Sequence, residues 1–123
     1  KHSQNFTFEE LKKYVLVYVR LQRPEKDSSE LIKRQVALRN EGLKLFFKAD
    51  YRNAISKLEE ALKIDAQDKQ ARDYRERAKT AQVLRAQIKN QHKAQEYTEA
   101  QNLYQKLLEV NPQEKSYSEI IAE

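Results

Sequence analysis

The sequence predicts an all-α fold in which antiparallel helix pairs stack on one another, flanked by further helices. The composition favours helices, because one glycine and two prolines in 123 residues leave little material for tight turns between strands. A segment also occurs twice, at 49–68 (ADYRNAISKLEEALKIDAQD) and at 95–114 (QEYTEAQNLYQKLLEVNPQE). A repeated unit that cannot bury its own apolar face must pack on a neighbour, so this repeat predicts a helical solenoid.

The two copies of the repeat align without a gap. The aligned pairs are Asp50/Glu96, Tyr51/Tyr97, Ala54/Ala100, Leu58/Tyr104, Leu62/Leu108, Ile64/Val110 and Asp65/Asn111. Helical solenoids present extended surfaces to other molecules. The repeat therefore favours a binding function over a catalytic one.

A first helix is predicted over residues 7–22, since Thr7 and Glu10 form a capping-box pattern ahead of the apolar residues that follow. The stretch YVLVYV at 14–19 is β-branched, aromatic and apolar on all sides, and a strand is the alternative there. If it is a helix, both of its sides are buried. We interpret residues 1–27 as a flanking helix with its linker and residues 28–123 as the repeat domain.

A polar connection is expected next, over residues 23–28, because Pro24 should end the first helix. Ser28 or Ser29 can cap a second helix, which continues to about Lys48. The inner stripe of this second helix consists of Leu31, Leu38, Gly42 and Leu45.

The Ala49-Asp50 turn leads into a third helix over about 51–64. Its inner residues are Ala54, Leu58, Ala61 and Leu62. Asp65 is then expected to cap a long helix over about 67–94. The apolar residues of this long helix recur every three or four positions, at Ala71, Tyr74, Ala78, Ala81, Leu84 and Ile88.

A further helix is predicted over about 97–110, stopping before the Asn111-Pro112 dipeptide. A last helix is predicted over residues 114–122, and its apolar residues are Tyr117, Ile120 and Ile121. This last helix and the one at 7–22 would cap the two ends of the stack.

The residues of the first unit resemble the tetratricopeptide repeat (TPR) family, a right-handed superhelical stack of antiparallel helix pairs. The structural repeat positions that carry the resemblance are Leu38, Gly42, Leu45, Tyr51, Ala54, Leu58 and Ala61. A glycine inside a helix costs about 1 kcal/mol relative to alanine. It is tolerated where a neighbouring helix must come close, and Ala54 and Ala61 serve the same need on the partner helix.

The second unit matches the family less regularly. It fits at Tyr97, Ala100, Tyr104 and Pro112, but Leu107 stands where a small residue is usual, and Ile88 corresponds to Gly42. The units are 46 residues apart, from Ala54 to Ala100, against about 34 in the family. We place the extra residues in the 67–94 helix and expect about two repeats, the second irregular and elongated.

The resemblance implies that a protein or peptide binds along the concave surface, which the first helix of each pair lines. Val36 and Gln82 lie on this surface as well. The candidate partner-binding residues are Arg39, Leu43, Phe46, Phe47, Arg85, Lys89, His92 and Lys93. Arg85, Lys89 and Lys93 recur every four positions and form one stripe, the basic stripe. Next to an apolar patch, the basic stripe suits a peptide with acidic and hydrophobic residues. The alternative is an ordinary solvated face. One of the two phenylalanines is expected to pack inside.

No enzymatic site is visible in the sequence. Cysteine is absent, His2 and His92 are the only histidines, and there is no glycine-rich phosphate loop, so we expect no metal and no cofactor. His92 is expected at the surface. Family members that clamp a C-terminal carboxylate need asparagine where this chain has Leu43 and Ala86, so we do not expect that clamp.

Three alternatives to a peptide-binding scaffold remain open. The helix at 7–22 could serve self-association through Val15 and Val19, or lie on a membrane surface, although its polar face is short. The basic helix at 69–93 could contact nucleic acid. That partner is less expected, because the basic residues point in several directions and Tyr74 is the only aromatic residue there.

The sequence contains no run of about 18 apolar residues and begins without a signal-like segment. We therefore expect no membrane span, and a soluble protein of the cytoplasm or periplasm. We also expect the chain to be part of a longer parent protein. The net charge of +5 fits acidic partners in general.

Overall fold

The computed structural model describes residues 24–123, and this range is all-α, without strands. Its five helices are α1 (Pro24–Phe47), α2 (Tyr51–Ile64), α3 (Lys69–Lys93), α4 (Tyr97–Val110) and α5 (Tyr117–Ala122). They form the predicted TPR-like arrangement of helix pairs with a flanking helix. None of the helices described has the length and apolar character needed to cross a membrane. The packing below concerns residues 34–123, which form one compact unit.

Helix α1 begins earlier than the sequence suggested. Residues 24–28, expected to be a polar connection, already belong to the helix, so neither Ser28 nor Ser29 caps it. Pro24 occupies the first helical position, where its missing N–H costs no hydrogen bond and its fixed φ suits the helix. The expectation of a polar connection that reaches residue 28 is therefore wrong. Leu31 was also expected on the inner stripe, but it is 51% exposed.

Two predictions concern residues that the structure does not describe. The helix over 7–22, with its alternative strand at 14–19, lies outside the described residues. The division of the chain into 1–27 and 28–123 stays a prediction.

Helices α1 and α2 form an antiparallel pair that is in close contact at Gly42. A Cβ atom on Gly42 would lie 2.6 Å from Leu58 Cγ, 2.7 Å from Leu58 Cδ2 and 3.3 Å from the Ala54 carbonyl oxygen. Ala54 and Leu58 are both fully buried, and Leu38 and Leu45 are half-buried. The predicted close approach at the only glycine is confirmed, because any side chain at this position would displace its neighbours.

The repeat is visible in the turns before α2 and α4. Ala49 and Gln95, at equivalent positions, both have φ of 62°, the left-handed conformation that lets the chain reverse. Each helix then spans 14 residues and ends at a residue with extended backbone, Asp65 in one copy and Asn111 in the other. The predicted bounds of both helices are therefore confirmed.

The aligned tyrosines nevertheless have different surroundings. Tyr51 is 3% exposed and Tyr97 is 51% exposed. The loop between α4 and α5 covers Tyr51, since Glu114 in that loop accepts a hydrogen bond from the Tyr51 hydroxyl. At the other aligned positions, Ala54 and Ala100 are both fully buried.

Helix α3 contains the extra residues of the second unit and spans 25 residues. Its N-cap is Asp68, whose carboxylate accepts a hydrogen bond from the Ala71 backbone N–H at 3.1 Å. Asp65, predicted to cap this helix, ends α2 and accepts from the Gln67 N–H instead. That prediction is wrong because both aspartates can accept from a backbone N–H two or three residues downstream, but only Asp68 directly precedes the first residue of α3.

The predicted apolar stripe of α3 is confirmed. Tyr74 is half-buried, and the buried members are Ala71, Ala78, Ala81, Leu84 and Ile88. Near its start, α3 packs on α2, where Ala71 clusters with Leu58 and Leu62. It also packs on α4, so both short helices share α3 as their partner.

Helix α5 is shorter than predicted and begins at Tyr117. The Ser116 hydroxyl accepts from the Glu119 N–H, and the Glu119 carboxylate accepts from the Ser116 N–H, both at 3.2 Å. This capping box fixes the start of the helix. Ile120 is fully buried, which anchors α5 on the core.

Candidate protein-binding surface

The apolar part of the expected surface lies at the C-terminal end of α1. Phe46 is fully buried, and its ring meets Tyr51 and Tyr74 edge to face, with ring centroids 5.5 and 5.1 Å apart. Phe47 is half-buried, 5.3 Å from the Phe46 ring and 5.7 Å from the Tyr74 ring. Leu43 is half-buried one turn earlier. One phenylalanine is therefore interior, and Leu43 and Phe47 keep a solvent-facing part.

Arg39 takes part in an internal contact. Its Nη1 lies 3.2 Å from the carboxylate of Asp68, which also accepts a hydrogen bond from Gln35. Burial disfavours the charged form, but the hydrogen bonds from Gln35, from the Ala71 backbone and from Arg39 outweigh it and lower the pKa of Asp68. Arg39 thus links α1 to the start of α3, and a quarter of its side chain remains exposed.

Two residues of the predicted basic stripe lie beside acidic side chains. Arg85 Nη2 is 2.7 Å from the Glu123 carboxylate, and Arg85 Nε is 3.6 Å from the buried carboxylate of Glu114. Lys89 Nζ is 3.6 Å from Glu123. Burial raises the pKa of Glu123, but the hydrogen bonds and charges of Arg85 and Lys115 outweigh this and lower it. The stripe is therefore partly neutralised within the chain.

A buried polar cluster, the polar junction, consists of Tyr51, Asn111 and Glu114. The Tyr51 hydroxyl donates to the Glu114 carboxylate at 2.6 Å. The Asn111 amide donates to the Phe46 carbonyl at 2.9 Å and to the Tyr51 hydroxyl at 3.0 Å. Burial raises the pKa of Tyr51, and the hydrogen bond to Glu114 raises it further, so the phenol stays protonated. The polar junction joins the end of α1 to the end of α4.

The polar junction was not found from the sequence. Asn111 was assigned only to the end of a helix, and Glu114 to the start of the last helix. A buried asparagine or glutamate needs hydrogen-bond partners. The partners here are Phe46 at the end of α1 and Tyr51 at the start of α2, which are distant in sequence.

His92, expected at the surface, is half-buried and takes part in an aromatic cluster. Its Nδ1 lies 2.9 Å from the Tyr117 hydroxyl, and its ring centroid is 5.1 Å from that of Tyr97. Tyr104 extends the cluster, 5.7 Å from Tyr117. The basic neighbours of His92 in sequence gave no sign of these tyrosines, which come from α4 and α5. Lys93, the next residue, is exposed.

Two of the grooves formed by the described residues border α3. The larger, of about 710 Å³, lies between α2 and α3 and includes Ile55 and Leu62. The smaller, of about 370 Å³, is formed by the α1–α2 turn and α3 and includes Arg85 and Lys89, without Leu43 or Phe47. Neither of these two grooves brings the candidate residues of α1 and α3 together. From residue 24 on, no three histidine, cysteine, aspartate or glutamate side chains converge as a metal site.

Comparison with known proteins gives a family match over most of the chain. Residues 18–122 match the model of the family described as plant specific mitochondrial import receptor subunit TOM20. No curated protein matches the chain, and no solved structure matches it.

The family match corrects the expected localisation. A soluble protein of the cytoplasm or periplasm was expected from the missing signal segment and the absence of cysteine. That expectation is wrong, because the matching family consists of mitochondrial import receptor subunits. No motif or composition in the sequence analysis had indicated a mitochondrial location.

Proposed function

Because the chain belongs to the plant-specific TOM20 family of mitochondrial import receptor subunits, we propose that it is a non-enzymatic receptor module for the targeting segments of mitochondrial precursor proteins. Such segments are amphipathic, rich in arginine and serine, and poor in acidic residues. The family match over residues 18–122 is the observation that carries the proposal. The paired helices support it, since stacked helices offer an extended surface to a peptide.

We also infer that the two helix pairs are repeats of the tetratricopeptide type. The close contact of Gly42 with Leu58 supports this inference, as do the fully buried Ala54 and Ala100 at equivalent positions. In such repeats the first helix of each pair lines the binding surface. In this chain those helices are α1 and α3.

The proposed contact residues for a targeting segment are Leu43 and Phe47 on α1. An amphipathic helix binds by laying its apolar face against an apolar surface. The Phe47 ring already packs edge to face against Phe46 and Tyr74. It is therefore fixed before a ligand arrives, and little conformational entropy is lost on binding.

The basic stripe does not contribute to this binding. Arg85, Lys89 and Lys93 were expected to attract a peptide with acidic and hydrophobic residues. An arginine-rich targeting segment is repelled by these cations, and the contact of Arg85 and Lys89 with Glu123 reduces that repulsion. We assign the affinity to the apolar contacts, so binding should depend only weakly on salt.

The experiment measures binding of a fluorescent amphipathic peptide, built from leucine, arginine and serine, by anisotropy. Leu43→Ser and Phe47→Ser should each weaken binding about tenfold, which corresponds to about 1.4 kcal/mol. The matched control is Val83→Ser on α3, which also removes an exposed apolar side chain, 56% exposed in the structure.

A peptide of the same composition in scrambled order serves as the second control, because it has no apolar face. The proposal fails if the scrambled peptide binds equally well, or if Val83→Ser weakens binding as much as the changes on α1. Thermal unfolding of each variant shows whether the fold is retained.

Two other functions stay predictions. Self-association through residues 7–22 rests on residues that the structure does not describe, and sedimentation at several concentrations tests it. Nucleic-acid binding through residues 69–93 is less favoured, because Arg77 stacks on the Tyr74 ring at 5.0 Å and Arg85 faces Glu123. A steep salt dependence of oligonucleotide binding would be needed to support it.

A further inference from the structure

Helix α5 covers a face of α3 that offers both charge and apolar surface. Ile120 of α5 is fully buried in the same core cluster as Ile88 of α3. Three residues later, the Glu123 carboxylate lies 2.7 Å from Arg85 and 3.6 Å from Lys89. We call the surface formed by Arg85, Ile88 and Lys89 the α5 face.

The α5 face recognises two features of the segment that occupies it. An apolar side chain enters the core, and an acidic side chain three positions later meets two cations. A spacing of three places both side chains on one side of a helix. Residues 117–123 (YSEIIAE) therefore form an acidic and hydrophobic segment of the kind that the basic stripe was predicted to bind.

Helix α5 is held by the buried Ile120, by the contact of Tyr117 with His92 and by the ion pairs of Glu123. It spans six residues, and a helix that short is unstable in water without packing. Its start depends on the Ser116–Glu119 capping box, and its polar residues Ser118 and Glu119 are exposed. The docking of α5 can therefore be weakened from the α5 side without altering the α5 face.

We propose that the α5 face is a second protein-docking site, which takes a helical segment of a partner protein with an apolar residue followed three positions later by an acidic one. Helix α5 occupies this site until such a segment displaces it. This site is distinct from the proposed receptor surface at Leu43 and Phe47. The charge of the α5 face repels an arginine-rich targeting segment and attracts an acidic one.

Displacement of α5 is a competition between a tethered and a free ligand. A short tether gives the tethered segment an effective concentration on the order of millimolar. A free peptide with the sequence of α5 should therefore bind the unaltered chain poorly. Loosening α5 should strengthen binding of the same peptide, because the competitor is weakened and the site is unchanged.

The test uses a fluorescent peptide with the sequence of residues 115–123 and the full 123-residue chain. The loosened variant combines Ser116→Ala, which removes the cap of α5, with Glu123→Gln, which removes its charge. It should bind the peptide about tenfold more tightly than the unaltered chain, because α5 has lost its N-cap and its ion pairs with α3 are weakened. Ser118→Ala is the matched control, since Ser118 is an exposed serine of α5 outside the capping box.

Two further variants test the charge contact. A peptide with lysine in place of its final glutamate should lose binding, and Lys89→Glu in the loosened chain should have the same effect. Glu123→Gln alone is measured as well, so that a folding defect of the double variant does not decide the result.

The proposal is overturned if the loosened chain and Glu123→Gln keep their helical circular dichroism and thermal transition, yet bind the peptide no more tightly. Helix α5 would then be a fixed cap of the stack. Concentration-dependent dimerisation of the loosened chain would also overturn it, because the occupant would be α5 of a second copy.

Discussion

Replacing Gly42 by alanine should destabilise the protein, although the same change in an ordinary helix stabilises. The helix gains about 1 kcal/mol from alanine. Against this, the added Cβ would lie 2.6 Å from Leu58 Cγ and 3.3 Å from the Ala54 carbonyl oxygen. Leu58 Cγ is close to the backbone and fully buried, so it cannot move aside freely.

Overpacking of a buried site costs about 1–3 kcal/mol, and the double contact with Leu58 places Gly42→Ala near the upper end. Subtracting the gain in helix propensity leaves a destabilisation of about 2 kcal/mol. For a chain of this size, each kcal/mol lowers Tm by about 4 °C, so a decrease of about 8 °C is expected.

The assay is urea unfolding followed by circular dichroism at 222 nm, together with a thermal scan. Asn40→Ala is the matched control, because Asn40 is an exposed residue of the same helix and its replacement should stabilise by about 0.5 kcal/mol. If Gly42→Ala stabilises the protein as Asn40→Ala does, then α1 and α2 are not in close contact at this position.

Three further changes test the polar junction and the cap of α3. Asn111→Ala leaves the Tyr51 hydroxyl oxygen without a donor, while the Phe46 carbonyl keeps the Ala49 N–H; it should cost about 1–3 kcal/mol in urea unfolding, whereas no loss would contradict the buried contact. Tyr51→Phe removes the donor to the Glu114 carboxylate and should cost about 2 kcal/mol, again by urea unfolding. Asp68 has a folded pKa below its ordinary 3.8, so its contribution is complete above that pH and disappears as the pH falls through the folded value. Asp68→Asn keeps a capping side chain without this titration, so its stability deficit should shrink between about pH 6 and about pH 2, and a constant deficit would refute the assignment.

The repeat made α2 and α4 predictable from the sequence. Both helices start after a tight turn, and their apolar residues recur at helical spacing. Both signals lie within the segment itself. The stripe of α3 was predictable for the same reason, since small residues every three or four positions leave one face that can pack closely. The proximity of Gly42 to α2 followed from the cost of glycine in a helix.

The remaining features depend on contacts between distant residues. Pro24 is compatible with both the end and the start of a helix, and only the backbone around it decides between them. His92 packs against tyrosines of α4 and α5. Glu114 can be buried because the Tyr51 hydroxyl donates a hydrogen bond to its carboxylate. No pattern along the chain shows these partners, so the polar junction could not be predicted.

The polar junction also determines how the protein unfolds. Tyr51 and Glu114 are 63 residues apart, and Asn111 is 65 residues from the carbonyl of Phe46 that it binds. In a helical repeat each unit contacts only its neighbours and can open separately. Here the turn of the first pair and the end of the second share buried hydrogen bonds, so the opening of either one breaks these bonds. Amide hydrogens of α2 and α4 should therefore exchange through a single cooperative opening, with similar protection in both helices.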